Sequence, residues 1–375
     1  MNISRAYSNL GKIIEPNKVI VIYGPRRVGK TTLLEQYIKK TKLKYRFDTG
    51  EDIRIQEVLS SQRIDKLKQY AGDNELIILD EAQLVPNIGI GLKLIVDQIK
   101  NIKVIATGSA SFDLSNKIGE PLVGRKWTKT LYPVSQFELA KIDSKFDLLG
   151  KLEQFLIFGS YPEVLTSKTI KRKREILDEI VGSYLLKDIL TMEQVKSPKK
   201  LLDLLKLIAF QLGGEVSLTE LGSQLDLDKK TVHRYLDLLE KTFILFNLRG
   251  YSRNLRKAVS KKSKYYFWDN GIRNAIINNF NPLDTRNDLG QLWENFLAVE
   301  RLKKQEYAKI FSNNYFWRTW DQDEIDWVEE RGGRLHGYEF KFKKSRIKPP
   351  KIWKETYKQS SFKVINKNNY LDFVI

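Results

Sequence analysis

The sequence predicts an α/β protein. An N-terminal part is built on a parallel sheet, and a helical part and a second, strand-rich α/β part follow. Three observations carry this expectation. Residues 17–23, NKVIVIY, are a short apolar β-branched run that ends at Gly24 and leads through a glycine-bounded loop into the helical pattern LLEQYIKK. Short apolar runs recur at Tyr45–Phe47, Leu76–Leu79 and Lys103–Thr107 between helical stretches, the pattern of buried parallel strands. From Lys264 onward aromatics and strand patterns dominate around one strong helix near Gln291–Lys304.

Composition bounds the function. With 375 residues, 42% hydrophobic and 30% charged, the chain is globular, and at roughly 100–200 residues per domain it holds two or three domains. The absence of cysteine excludes disulfides, thiolate zinc sites and cysteine nucleophiles. His233 and His336 are the only histidines, which argues against histidine-based metal or triad chemistry. No apolar stretch is long enough to cross a membrane, and the N-terminus lacks the apolar core of a signal peptide, so a cytoplasmic protein is expected. The 65 basic residues outnumber the 46 acidic ones, for a net charge of +19. This favours a polyanionic partner, nucleotide, DNA or RNA, or else reflects a lysine-rich proteome.

The first element carries the most specific chemistry. Gly24, Pro25, Arg26, Arg27, Val28, Gly29, Lys30 and Thr31, followed by Thr32, fit GxxxxGK[ST] without mismatch. The glycines let backbone N–H groups wrap phosphates, and the following helix points its positive end at them. Lys30 is placed to reach the β- and γ-phosphates of a nucleotide and the Thr31 hydroxyl to ligate Mg²⁺. About 50 residues downstream, LIIL runs into Asp80 and Glu81. An acid at the C-terminal end of a strand can hold Mg²⁺ through water, and its neighbour can polarise the attacking water as a general base. Thr107 or Ser109, at the end of the next apolar run, is placed to hydrogen-bond the γ-phosphate or that water. Arg125 in PLVGR is either a finger on the γ-phosphate, in cis or from a neighbouring subunit of a homo-oligomer, or a surface arginine.

Residues 17–140 resemble prokaryotic AAA-type ATPases of the archaeal, STAND-like group. The resemblance rests on GPRRVGKTTLL, LIILDEAQ, TGSAS, Gly124-Arg125 and Tyr132-Pro133-Val134-Ser135-Gln136-Phe137-Glu138. It continues in Phe158-Gly159-Ser160-Tyr161-Pro162-Glu163-Val164, where Ser160 replaces a usual second glycine. With the C-terminal part, the match extends over nearly the whole chain and implies an ATPase fused to a domain of uncharacterised function. ATP is preferred over GTP by this resemblance, and no NKxD guanine-reading motif stands in a suitable place.

Ser197-Pro198 interrupts the chain and opens a compact helical segment. Ser217-Leu218-Thr219-Glu220 is a capped helix start. A turn follows, and then a second helix with Thr231, His233 and Arg234 near its start, the end that enters the major groove in helix-turn-helix proteins. The segment KTFILFNLRGYSRN suggests a wing. This winged helix either contacts DNA or serves as a linker or protein-binding module.

In the last part, Glu294 lies on the strong helix, Asp326 on a strand, and Glu339 and Lys341 on the returning strand after a Gly332-Gly333 turn. Carboxylates on neighbouring strands beside a lysine are what Mg²⁺-dependent phosphodiester cleavage needs. Glu294, Asp326 and Glu339-x-Lys341 resemble the PD-(D/E)xK nuclease pattern, active or kept as a binding module. Lys341–Lys367 carries ten basic residues against Glu355 alone, a candidate phosphate-tracking surface or a solvated face.

The expected organisation is therefore an ATPase domain at 1–145, a helical lid at 146–198, a winged helix at 199–255 and a nuclease-like domain at 256–375. The sites and partners it implies are ATP, Mg²⁺ and DNA or RNA, with no membrane.

Overall fold

The computed structural model describes residues 3–109, 121–185, 195, 197–252 and 263–375. The chain divides into two compact units. One comprises Arg5–Tyr132 with Lys241–Phe243, and the other Met1–Ser4, Pro133–Glu240 and Ile244–Ile375.

The first unit is a five-stranded parallel sheet of β1 (Lys18–Tyr23), β2 (Tyr45–Thr49), β3 (Leu76–Asp80), β4 (Lys103–Gly108) and β5 (Lys126–Thr130). Their spatial order is β2-β3-β4-β1-β5. The helices are α1 (Lys30–Ile38), α2 (Ile53–Ser60), α3 (Ile64–Ala71) and α4 (Ile88–Gln98). The central strands are apolar on both faces because helices cover both: every residue of β3 is buried, and β1 and β4 are buried after their first lysine. The core runs from Val19, Val21, Leu79 and Val104 to Leu59, Leu67, Leu92 and Ile95 on the helices. β5, sequence KWTKT, is an edge strand with Trp127 48% exposed, and its polar alternation hid it from the sequence pattern. Because β4 lies between β1 and β3, their C-terminal ends bring Gly24, Asp80 and Thr107 to one rim.

The second unit centres on a mixed six-stranded sheet. Its strands are β6 (Leu245–Gly250), β7 (Ser263–Phe267), β8 (Asn313–Arg318), β9 (Glu324–Arg331), β10 (Arg334–Phe340) and β11 (Ser361–Ile365), in the order β11-β10-β9-β8-β6-β7. Helix Leu289–Tyr307 packs against β7 and β10. The expected boundary at 255–256 falls between β6 and β7, which pair antiparallel, so β6, in the segment expected as a wing, belongs to the same sheet as the strands of the expected nuclease-like domain. The helices expected as a separate lid, including Leu152–Phe158 and Ile170–Glu179, also belong to this unit and pack against helix Asn270–Ile276.

The motif segments between the units' sequences act as joints within the second unit. Ser135 and Glu138, both fully buried, form a reciprocal capping box at the start of helix Gln136–Leu139. The Gln136 backbone N–H donates to Glu300 Oε2 at 2.6 Å, and Glu300 Oε1 pairs with Lys303 at 2.8 Å. Ser160, the departure from glycine, uses its side chain: Lys303 Nζ reaches its Oγ at 3.3 Å, and its N–H donates to Asp269 at 2.7 Å.

Candidate nucleotide site and C-terminal charge cluster

The loop after β1 is shaped by close approach. A side chain at Gly24, whose φ is +155°, would put its Cβ 2.1 Å from the Leu131 carbonyl oxygen. Gly29 ends the loop in the left-handed region and starts α1. Lys30 is 5% exposed, and its ammonium donates to the carbonyls of Gly24 at 2.9 Å and Pro25 at 3.1 Å, so it lies within the loop's curl. Pro25 and Val28 are buried in the loop, while Arg26 and Arg27 are half-buried and Thr32 is exposed on the first turn of α1.

The other rim residues converge. Thr31 Oγ1 donates to Asp80 Oδ2 at 2.6 Å, and the Thr107 hydroxyl donates to Asp80 Oδ1. Glu81 has a left-handed backbone, φ 48°, and its N–H donates to Asp80 Oδ1 and to Thr107 Oγ1, each at 3.2 Å. Gln83 donates to the Glu81 carboxylate and, at 3.2 Å, to Ser109 Oγ. Thr31, Thr49, Glu51, Asp52, Asp80 and Glu81 help line a cavity of about 540 Å³. Thr31 and Asp80 present two hard oxygen donors side by side in an acidic cavity, a donor set that fits Mg²⁺.

Two arginines differ from expectation. Arg125 lies at the opposite end of the sheet: its carbonyl accepts from Val19 N–H at 2.9 Å, and its guanidinium pairs with Asp97 at 2.5 Å. Because β1 runs from Lys18 to Tyr23 before the loop begins, about 20 Å of strand separates Arg125 from the phosphate end, and the cis finger is excluded on geometry. Arg5, which the sequence did not single out, is 5% exposed; it donates to the carbonyl of Val28 in the loop and to that of Tyr132 at 2.5 Å. No motif marks it, since it precedes the loop by nearly twenty residues in an unpatterned segment.

In the second unit, the helix-turn-helix order is present, with helices Leu218–Leu225 and Lys229–Lys241, and Ser217 accepts from Glu220 N–H as a cap. Of the three expected contacts, Thr231 is tied to the Asp228 cap: its N–H and hydroxyl donate to that carboxylate at 2.9 and 2.6 Å. Arg234 is half-buried with its guanidinium 5.6 Å from the Tyr235 ring, whereas His233 is exposed, as are Lys229 and Lys230.

The C-terminal quartet shares one neighbourhood. Tyr338 opposes Trp327, and continuing the antiparallel register by one places Glu339 opposite Asp326. Lys341 pairs with Glu339 at 2.9 Å. Sequence reasoning missed the cation at its centre. Lys264 on β7, 2% exposed, contacts Glu294 at 3.3 Å and also pairs with Glu324, while Tyr266 OH donates to Glu294 Oε1 at 2.6 Å. Burial alone would push the Lys264 ammonium down, but Glu294, Glu324 and Asp326 together hold it above its ordinary value. Burial, then the neighbouring Glu294, pushes Asp326 up to about 7, although Lys264, the Phe340 N–H and Lys341 oppose it. Burial, then Asp326, raises Glu339. Among the described residues, no group of three or more His, Asp or Glu side chains is placed to hold a metal ion.

Family models match three stretches of the chain. Residues 16–140 match the model of an AAA domain. Residues 149–283 and 289–371 match two models described as domains of unknown function, DUF8612 and DUF4143. An uncharacterized protein of Mycobacterium tuberculosis is 25% identical over 341 residues, covering 90% of this chain and 73% of its own. One from Haemophilus influenzae is 27% identical over 337 residues, covering 84% and 80%. Among solved structures, a Walker-type ATPase of Pyrococcus abyssi superposes with a TM-score of 0.45 at 16% identity, over 72% of this chain and 94% of that one. AMPPCP-bound DnaA from Aquifex aeolicus gives 0.27 at 18% identity, over 63% and 84%. Among the described residues no helix is long and apolar enough to cross a membrane.

Proposed function

We propose that the N-terminal unit binds and hydrolyses Mg-ATP and that the chain is a nucleotide-dependent switch whose C-terminal unit binds nucleic acid. The observation that carries the ATPase reading is the contact of Thr31 with Asp80, with Glu81 and Thr107 tied to the same carboxylate. The loop N–H groups and Lys30 bind the phosphates, with Lys30 exchanging its two carbonyl contacts for phosphate oxygens. Thr31 and Asp80 would hold Mg²⁺, which when bound neutralises charge on the phosphate oxygens. Glu81 orients and deprotonates the attacking water, and Gln83 holds its carboxylate toward Ser109.

The nucleic-acid reading is supported by the net charge of +19 and by the exposed lysines and arginine between Lys343 and Lys367, on a stretch whose one acid is Glu355. Exposed Lys229, Lys230 and His233 at the start of a helix-turn-helix support it independently. Metal-assisted cleavage by the C-terminal cluster is the weaker reading, because each of its carboxylates already has one oxygen engaged by the chain itself.

The test is ATP turnover together with binding of duplex and single-stranded DNA and RNA at several salt concentrations, with and without nucleotide. Absent turnover would overturn the ATPase reading. Binding that does not weaken with salt, or no binding, would overturn the nucleic-acid reading.

A further inference from the structure

The PD-(D/E)xK resemblance implies a divalent cation between Glu294, Asp326 and Glu339, and the side chains there do not fit one. Glu294 Oε1 is shared by Lys264 and Tyr266. Its other oxygen lies against backbone: a Cβ at Gly213, φ +74°, would stand 2.9 Å from Glu294 Oε2, so the loop at Gly213 closes over that carboxylate. Asp326 Oδ2 accepts from the Phe340 N–H at 2.7 Å. Glu339 Oε1 is held by Lys341 at 2.9 Å, while its Oε2 is buried without a hydrogen bond. One oxygen of each of these three carboxylates is thus engaged by the chain itself, which leaves at most half of the six ligands a hard divalent cation takes. At the centre lies Lys264, 2% exposed, against Glu294 and Glu324, and Glu324 is tied onward to Arg318 at 3.7 Å, which reaches Glu215 at 3.4 Å.

We infer that Lys264 stands where the nuclease pattern would require a divalent cation, so that the cluster is neutralised by the chain's own ammonium and takes no metal. Its position explains how three acids share one buried neighbourhood. A compact point charge with three donors satisfies two carboxylates at once, and the strand bearing it is pinned by the Leu248–Lys264 pairing of β6 and β7. The C-terminal unit then meets phosphates through exposed lysines and independently of metal. This inference does not depend on the ATPase reading, because its readout is taken without nucleotide.

The test is thermal unfolding of the full chain, nucleotide-free, in EDTA and in millimolar Mn²⁺, for the wild type, Asp326→Asn, Lys264→Ala, Lys264→Arg and Lys264→Ala with Asp326→Asn. The wild type and Asp326→Asn are expected to respond identically to Mn²⁺, so that any response comes from elsewhere. Lys264→Ala is expected to melt lower in EDTA and to recover part of the loss with Mn²⁺, the recovery disappearing in the double variant. Lys264→Arg, which keeps the charge, is expected to respond as the wild type does. A Mn²⁺-dependent rise in the wild type that Asp326→Asn abolishes would overturn the inference, and so would a Lys264→Ala protein that gains nothing from Mn²⁺. Should Lys264→Ala not fold, the comparison of wild type with Asp326→Asn decides alone.

Discussion

Thr31 Oγ1 donates to Asp80 Oδ2 across 2.6 Å, joining the first turn of α1 to the end of β3. The contact exists because β4 separates β1 from β3 in the sheet, which leaves the two strand ends one strand apart and lets a short hydroxyl meet a short carboxylate. The same carboxylate takes Thr107 from β4, so two strand ends and the first turn of α1 are fastened at one acid.

Lys30→Ala is expected to abolish hydrolysis and strongly weaken ATP binding, since the phosphates lose their point charge. Glu81→Gln is expected to keep binding while turnover falls about 10²–10⁴-fold, the usual worth of a positioned base. Nucleotide binding and phosphate release, measured side by side on both variants, separate the roles; normal turnover in either removes the assignment.

Arg5→Ala is expected to weaken ATP binding about tenfold, roughly 1.4 kcal/mol, with Arg5→Lys in between. The guanidinium ties the Val28 carbonyl of the phosphate loop to Tyr132, and losing it frees one buried and one part-buried carbonyl and the loop with them. The effect should fall on KM more than on kcat, because Arg5 touches the loop and not the water-activating acid. A variant that melts lower with unchanged KM would make Arg5 a stability residue only.

How much could be read in advance depended on how local each signal was. The glycine loop, Asp80 and Glu81 are spelled in consecutive residues at strand ends, and β1, β3 and β4 announce themselves as apolar runs. β5 did not, because an edge strand reading KWTKT has no apolar face to display. Asp326, Glu339 and Lys341 were legible from a hairpin's alternation. Lys264 was not, since its role comes from a pairing of β6 with β7 and from a helix about thirty residues on, which nothing nearby encodes. The bonds that tie Thr231 to Asp228 were not legible either, since the sequence marked Thr231 only by its place near the start of a helix.

Arg125→Ala is expected to leave turnover of the dilute, single chain unchanged. The guanidinium lies beside Asp97 at the N-terminal end of the strands, away from the phosphates. An arginine finger supplied across subunits is worth 10³-fold or more, so a loss that grows with protein concentration would identify trans action. Loss at every concentration would contradict the geometry. Turnover measured over a dilution series, alongside the oligomeric state, distinguishes them.

Asp326→Asn is expected to flatten the pH dependence of stability and to raise Tm at pH 8. Burial and Glu294 lift the Asp326 carboxyl to about 7 in the folded chain, well above its value of about 4 when unfolded. The folded state therefore binds more protons than the unfolded one between these values, and stability falls as pH rises through that window. Below pH 4 both states are protonated and no penalty operates; above pH 7 the folded chain carries the whole cost of a buried carboxylate. Asparagine keeps an oxygen to accept the Phe340 N–H and removes the charge, so its benefit should grow from pH 5 to pH 8. Glu294 and Glu339 are raised in the same direction, so the variant should lessen the slope without removing it. Melting curves of both proteins at half-unit steps from pH 4 to pH 8 check this. Parallel profiles would remove Asp326 as a source of the pH dependence.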